Sequence, residues 1–268
     1  MEIKYNNVYN MDCLEGMRFI NDKSVDMILC DLPYGWGTTK CKWDVIIPFD
    51  KLWEQYNRII KPNGAIVLTA CQPFTSELIH SNINCFRESL IWVKHKPSNF
   101  ACGKYMHLKY HEDIIIFAKN KPTYNPQMQE RKSERIKQMQ KGKSKNWRSK
   151  YKQDNEVAFQ TDYEPREWSI YDADKKYPST IIEIPAVGSN SKEKLSHPTQ
   201  KPVALFEYLI KTYTNEGDLV LDNCMGSFTT AVACINTNRN YIGFEMDKGY
   251  YDLGQKRLEE LNVNELNK

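Results

Sequence analysis

A chain of 268 residues, 41% hydrophobic and 26% charged, is long enough for one large α/β domain with a smaller appended lobe and is ordinary for a globular protein. No apolar run approaches the roughly 20 residues that cross a bilayer, and residues 1–5 lack the basic-then-apolar start of a secretory leader, which predicts a cytoplasmic protein with no membrane partner. Eight cysteines without a C-x-x-C pair argue against a zinc knuckle, so free thiols and no metal site are expected.

In chain order, residues 7–10 read as a short strand ending near Asp12, and a helix follows over 13–20. Residues 25–30 form an apolar strand that stops at Asp31, and a helix over 50–60 follows Pro48. Residues 64–69 and 113–118 read as further strands. From about Lys119 to Lys194 the pattern fails: the segment is polar, interrupted by five prolines, and carries seven aromatic residues between Trp147 and Tyr177. A disordered linker would be poor in aromatics, so 119–194 is read as an inserted lobe between 1–118 and 195–268. Charge concentrates there. Ten basic residues and two acidic ones between Glu130 and Lys152 give this stretch +8, leaving −5 for the rest of a chain whose net charge is +3. Arg131, Lys132, Arg135 and Lys137 open that run, which predicts either a polyanionic partner or a solvated charged loop.

After the insert, a helix over 201–214 follows His197-Pro198-Thr199, and residues 219–221 form a strand stopping at Asp222. A helix over 229–236, a strand over 241–244 stopping at Glu245 and a helix over 248–261 complete the chain. Alternating helices and near-continuous apolar strands predict the α/β class, with an open, doubly wound, mostly parallel sheet.

In such sheets ligands sit beyond the carboxyl ends of the strands, where Asp12, Asp31, Asp222 and Glu245 would all lie. One strand-end acid often does no more than cap the next helix. Four on one edge repel one another unless a ligand brings donors: an amine, ribose hydroxyls, an exocyclic amino group. The turn Asp222-Asn223-Cys224-Met225-Gly226-Ser227-Phe228-Thr229-Thr230 leads into a helix and would bring backbone amides to that ligand, and Glu245 is placed to meet ribose hydroxyls. These features also fit a nicotinamide enzyme, but no G-x-G-x-x-G occurs.

Asp31-Leu32-Pro33-Tyr34 is more specific. The exocyclic nitrogen of adenine or cytosine has its lone pair delocalised into the ring. It becomes nucleophilic when a carboxylate and a backbone carbonyl accept its N–H bonds and stabilise the positive charge that grows on it. Asp31 offers the carboxylate, Leu32 or Pro33 the carbonyl, and Pro33 stiffens the turn. Tyr34 offers an aromatic face to a base taken out of its stack. Read alone, the tetrapeptide is also compatible with a plain strand-end turn containing a buried Tyr.

With these residues in place, the sequence resembles the β-class amino-methyltransferases of DNA, common in restriction–modification systems and phages. Their Asp-Pro-Pro-Tyr motif corresponds to Asp31-Leu32-Pro33-Tyr34, their motif before the cofactor half to His197-Pro198-Thr199-Gln200-Lys201-Pro202, and their cofactor loop to 222–230. The order is also theirs: catalytic motif, target-recognition insert, cofactor loop. The resemblance spans about Val8 to Leu258 and implies S-adenosylmethionine as cofactor, double-stranded DNA as partner, the methyltransferase sheet and a homodimer. It implies that Asp222 and the Gly226 turn meet the methionine part of the cofactor. Thr199, Lys201, Thr229 and Thr230 would lie near its carboxylate, Glu245 at its ribose and Asp12 at its adenine amine. It also requires the C-terminal strands to lie beside the N-terminal one.

Two positions depart from the family. Leu32 replaces a proline but keeps its carbonyl. Phe228 stands where the family usually has glycine, and a phenylalanine there either packs inward, packs against the cofactor, or obstructs it. Trp36, between Gly35 and Gly37, is expected to cover the base or the cofactor, and Trp53 to lie in the core. Adenine N6 is the expected acceptor because the motif opens with Asp rather than Ser. Cytosine N4, an RNA substrate and a non-catalytic binder are the alternatives. C5 methylation is excluded by the lack of a Pro-Cys dipeptide.

Overall fold

The computed structural model describes residues 1–36, 41, 43–131 and 175–266, the last five as helix backbone. The chain divides into two compact units, Met1–Asn125 with Ser179–Lys268, and Pro126–Pro178. In the smaller unit the described residues form one antiparallel pair, β6 (Gln129–Glu130) with β7 (Lys175–Lys176), and Arg131 Nε donates to the Lys175 carbonyl at 2.8 Å. Lys132, Arg135 and Lys137 lie outside the described residues. Of the stretch 119–194 read as the insert, both flanks, 119–125 and 179–194, fall in the main unit.

The main unit is an eight-stranded sheet in the order β1 (Asn7–Tyr9), β10 (Asn240–Phe244), β9 (Leu219–Asp222), β2 (Val25–Cys30), β3 (Ile60–Ala70), β5 (His111–Phe117), β4 (Phe86–Val93), β8 (Ile181–Glu183). The first five run parallel. β5 is antiparallel to both its neighbours, and β8 is parallel to β4. The N-terminal strand lies beside the C-terminal pair, with Val8 opposite Gly243 and Ile242 opposite Leu221.

Alternation along the central strands builds two cores. Met27, Leu29 and Val67 face one side with helices α4 (Val203–Tyr213) and α5 (Thr229–Asn236). Ile28, Cys30, Ile66 and Leu68 face the other, against α1 (Cys13–Met17), α2 (Phe49–Ile59) and α3 (Phe74–Ser81). A strand buried on both faces has no polar register to signal which way it points, so it reads as an unbroken apolar run. Helix α2 buries Leu52, Trp53, Tyr56 and Ile59, a helical stripe that places Trp53 in the core as expected. The final helix, α6, spans Lys248–Leu266. Among the described residues no helix is long and apolar enough to cross a membrane.

The sheet grows outward from β2 through β3 in one direction and from β9 through β10 to β1 in the other. Strand order therefore reverses between β9 and β2, which puts Asp222 and Asp31 on either side of the crevice where open α/β sheets bind their ligands.

Candidate active site

A cavity of about 990 Å³ opens along that edge, and all twelve residues expected to hold cofactor or reacting groups line it. Its two halves are built differently. On the β2 side, both oxygens of Asp31 are held. The Tyr34 hydroxyl lies 2.9 Å from Oδ1, and the Thr69 hydroxyl donates to the same oxygen. Lys201 Nζ donates to Oδ2 at 2.6 Å. Phe74 backs the Tyr34 ring in a stacked contact with centroids 5.2 Å apart, while Lys201 Nζ lies 5.7 Å from the ring centre. Burial, and then the Asp31 charge, push the Tyr34 phenol well above its ordinary pKa, so it remains a donor.

Lys201 also meets Glu112 Oε2 at 3.3 Å, and Glu112 Oε1 accepts from Lys94 Nζ at 2.8 Å. Burial works against the Lys201 ammonium, but the Asp31 and Glu112 carboxylates outweigh it and hold its pKa above the usual lysine value. Burial likewise opposes the Glu112 anion, and Lys201 and Lys94 more than offset it. Lys94 reaches the site because it follows the end of β4, and Glu112 because β5 runs antiparallel. Its first residues lie on the edge where its neighbours end, and Trp92 is paired with Glu112. Neither residue was singled out from sequence, nor was Thr69.

On the β9 side the acids meet backbone amides. Glu245 Oε2 accepts from Gly226 N at 2.7 Å and Oε1 from Asp247 N at 2.8 Å. Asp222 Oδ1 accepts from Cys224 N at 3.0 Å, and the Thr230 hydroxyl bonds to Oδ2. Burial pushes the Asp222 carboxyl up to about 6 against those hydrogen bonds. Asp12 caps α1, with Oδ1 accepting from Leu14 N and Glu15 N. The Thr229 hydroxyl lies 3.2 Å from the Lys201 carbonyl, and Arg257 NH1 donates to the Ser227 carbonyl at 2.7 Å, bracing the loop from α6. The Gln200 amide ties the preceding turn together, accepting from Leu195 N and donating to the Glu193 carbonyl. Thr199 lines the cavity and is half-buried.

Phe228 takes a left-handed conformation of the kind glycine favours, with φ 60° and ψ 28°, and caps the start of α5. A left-handed bulky residue costs on the order of 1–2 kcal/mol. The ring is fully buried, set against Gly254 and edge-on to Tyr251, away from the cavity. Burying a phenylalanine contributes about 1.5–3 kcal/mol, enough to offset the strain. Of the three outcomes open for Phe228, inward packing is the one observed.

The turn at Gly226 is tight, with φ +51° and the His197 ring so near that a Cβ would lie 3.1 Å from Nε2. His197 is stacked on Trp43, with ring centroids 6.1 Å apart. His197 Nδ1 and Trp43 Nε1 are buried and have no hydrogen-bond partner among the described residues, and both side chains line the cavity. Burial lowers the His197 pKa to about 4, so the ring is neutral. Trp36 is 62% exposed at the cavity rim, its Nε1 3.2 Å from Glu77 Oε2. Strand-end acids with further lone pairs, the narrow Gly226 turn and these two unsatisfied nitrogens suit a nucleoside joined to an amino-acid tail.

The DNA methylase family of N6 and N4 enzymes matches residues 25–256 of the chain. Among curated proteins, the chain is 28% identical to the type II methyltransferase M2.MboI of Moraxella bovis over 95% of its own length and 88% of that protein. It is 27% identical to the DNA adenine methyltransferase YhdJ of Escherichia coli over 92% and 81%. Among solved structures, the M1.HpyAVI–SAM complex superposes with TM-score 0.58 at 23% identity, covering 94% of this chain and 98% of that one. The cytosine-N4-specific PvuII DNA methyltransferase superposes with TM-score 0.64 at 17% identity, covering 95% and 86%. These two likenesses establish the shared fold.

Proposed function

Because the chain belongs to the N6/N4 DNA methylase family, and is a DNA amino-methyltransferase that uses S-adenosylmethionine, we propose that its acceptor is adenine N6 of a base flipped from duplex DNA. The observation that supports this is the Asp31 carboxylate, fixed by Tyr34, Thr69 and Lys201 at the wall of the cavity that Leu32 and Pro33 also line. The opening Asp of the motif favours adenine over cytosine.

A carboxylate has about four lone-pair positions. Two donors on Oδ1 and one on Oδ2 leave one on Oδ2 for an amine N–H. In our reading that position and a carbonyl of Leu32 or Pro33 take the two amine hydrogens and draw the nitrogen toward a pyramidal form. They also meet the positive charge that grows on it. Tyr34 lies along the base. When bound, the cofactor supplies a methyl group already activated by its sulfonium. Glu245 would take its ribose hydroxyls and Asp12 its adenine amine. The Asp222–Gly226 turn with Thr199, Thr229 and Thr230 would enclose its methionine end, and Lys201 would serve both halves. Arg131, Lys132, Arg135 and Lys137 would meet DNA phosphates. With the methyl donor activated in advance, alignment and exclusion of water carry most of the rate.

Nucleoside mass spectrometry on DNA from a methylation-deficient host expressing the chain tests the reading. N6-methyladenine is expected. N4-methylcytosine would keep the chemistry and overturn the acceptor, and no methylated base from a soluble, folded protein would overturn the activity of this site.

A further inference from the structure

We propose that Glu112 is a positioning residue for Asp31, acting through Lys201. The inference deepens the reading of Asp31 as the amine acceptor and rests on it. Four buried or half-buried charges alternate in line: Lys94, Glu112, Lys201, Asp31. Their contacts are 2.8 Å, 3.3 Å and 2.6 Å. The side chains of Lys94 and Lys201 are 5% and 7% exposed, so solvent does little of the screening.

Were Lys201 paired with Asp31 alone, its ammonium would be free to swing around Oδ2 and to cover the lone pair the amine needs. A whole positive charge at contact would also weaken that oxygen as an acceptor. Glu112 prevents both. It draws Nζ to one side of Oδ2 and takes part of its charge. Lys94, on the far oxygen of Glu112, keeps that carboxylate ionised and turned toward Lys201. The strand pairing makes the placement rigid. Glu112 sits opposite Trp92 in the β4–β5 ladder, and Asp113 opposite Ala70 in the β3–β5 ladder, one residue beyond Thr69. Glu112 and Thr69 thus come from strands already locked in register.

Glu112→Gln keeps the shape and removes the charge. Its single-turnover methyl-transfer rate is expected to fall roughly 10- to 100-fold, as for a reacting group displaced by a fraction of an ångström. Cofactor and DNA dissociation constants should stay within about threefold. The double variant Glu112→Gln/Lys94→Met removes both outer charges together. It should recover the thermal midpoint lost in the single variant but not the rate, because Lys201 then still belongs to Asp31 alone. A rate unchanged in Glu112→Gln, or one that recovers with stability in the double variant, overturns the proposal. Asp31→Ala run beside them separates the two readings: if it keeps turnover, the role of Asp31 itself fails. If it is inactive while Glu112→Gln is fully active, only the role of Glu112 does.

Discussion

The two halves of the cavity hold their acids in opposite ways. On the β9 side, Asp12, Asp222 and Glu245 accept mainly from backbone amides, which are neutral and fixed by the turns that carry them. Burial pushes the Asp222 and Glu245 carboxyls up, while the amides fix their direction and leave lone pairs for neutral donors such as hydroxyls. On the β2 side, Asp31 is met by an ammonium and two hydroxyls, all on buried side chains, those of Lys201 and Thr69 brought from other elements. There the charge is nearly cancelled and what remains is direction. The first arrangement suits binding a polar molecule of fixed shape. The second suits orienting one reacting bond.

That contrast predicts that the halves separate kinetically. Asp31→Ala should lower methyl transfer on the order of 10²- to 10³-fold, the usual cost of losing one preorganised acceptor or donor. Cofactor affinity should stay within a few-fold. Lys201 keeps Glu112 as a partner, so the fold survives. Methyl incorporation and calorimetric titration measure the two quantities, and a matching loss of affinity would erase the distinction. Glu245→Ala should do the reverse. It removes the acceptor of the Gly226 and Asp247 amides, so cofactor affinity is expected to drop roughly 10- to 100-fold, the equivalent of about 1–3 kcal/mol. The rate at saturating cofactor should change little.

The remaining two predictions sharpen the picture of the cofactor half. Gly254→Ala should destabilise by about 1–3 kcal/mol, because its methyl meets the Phe228 ring. In a Phe228→Gly background the same change should become neutral or stabilising, since alanine is the better helix former. Denaturation midpoints of the four variants give the coupling. His197 supplies a pH effect. Its pKa falls from 6.5 to about 4 on folding, so between those values the unfolded chain binds more protons than the folded one. The histidine's contribution to stability therefore declines as pH drops from 6.5 and is lost by about 4. Asp222, raised from 3.8 to about 6, works in the opposite direction across much of that range. Denaturation of the native chain against His197→Phe should isolate the histidine: the gap between them should change with pH within that window and be flat above it.

What could be read from the sequence follows from how local the signals are. Strands at 25–30, 219–221 and 241–244 announce themselves because each is a short apolar run closed by an acid. Their side-by-side placement with β1 follows from the need to enclose one ligand. Strand β4 was not predicted, because Arg87, Glu88 and Ser89 interrupt its apolar residues and several of its positions are partly exposed. Helix α3 has no side-chain cap to mark its start. Strand β8 is three residues in a polar stretch, and only its pairing with β4 reveals it. The turns at 31–34 and 222–230 are each contiguous, so the sequence marks them as candidates, and both line the cavity. Thr69, Lys94 and Glu112 come from separate strands and meet only through sheet register. A usable signal did exist for Glu112: a charge at the end of an apolar run, as at Asp31, but placed before the run because β5 points the other way.

Phe228 and Gly254 also bear on how this chain can change over generations. Each position is the other's precondition: enlarging Gly254 first meets the ring, and shrinking Phe228 first leaves a hole beneath α6. An exchange that puts glycine at 228 and a larger residue at 254 must cross a less stable intermediate whichever step comes first. The pair thus acts as a latch, holding position 228 to phenylalanine through packing alone, independently of any advantage the ring gives to catalysis.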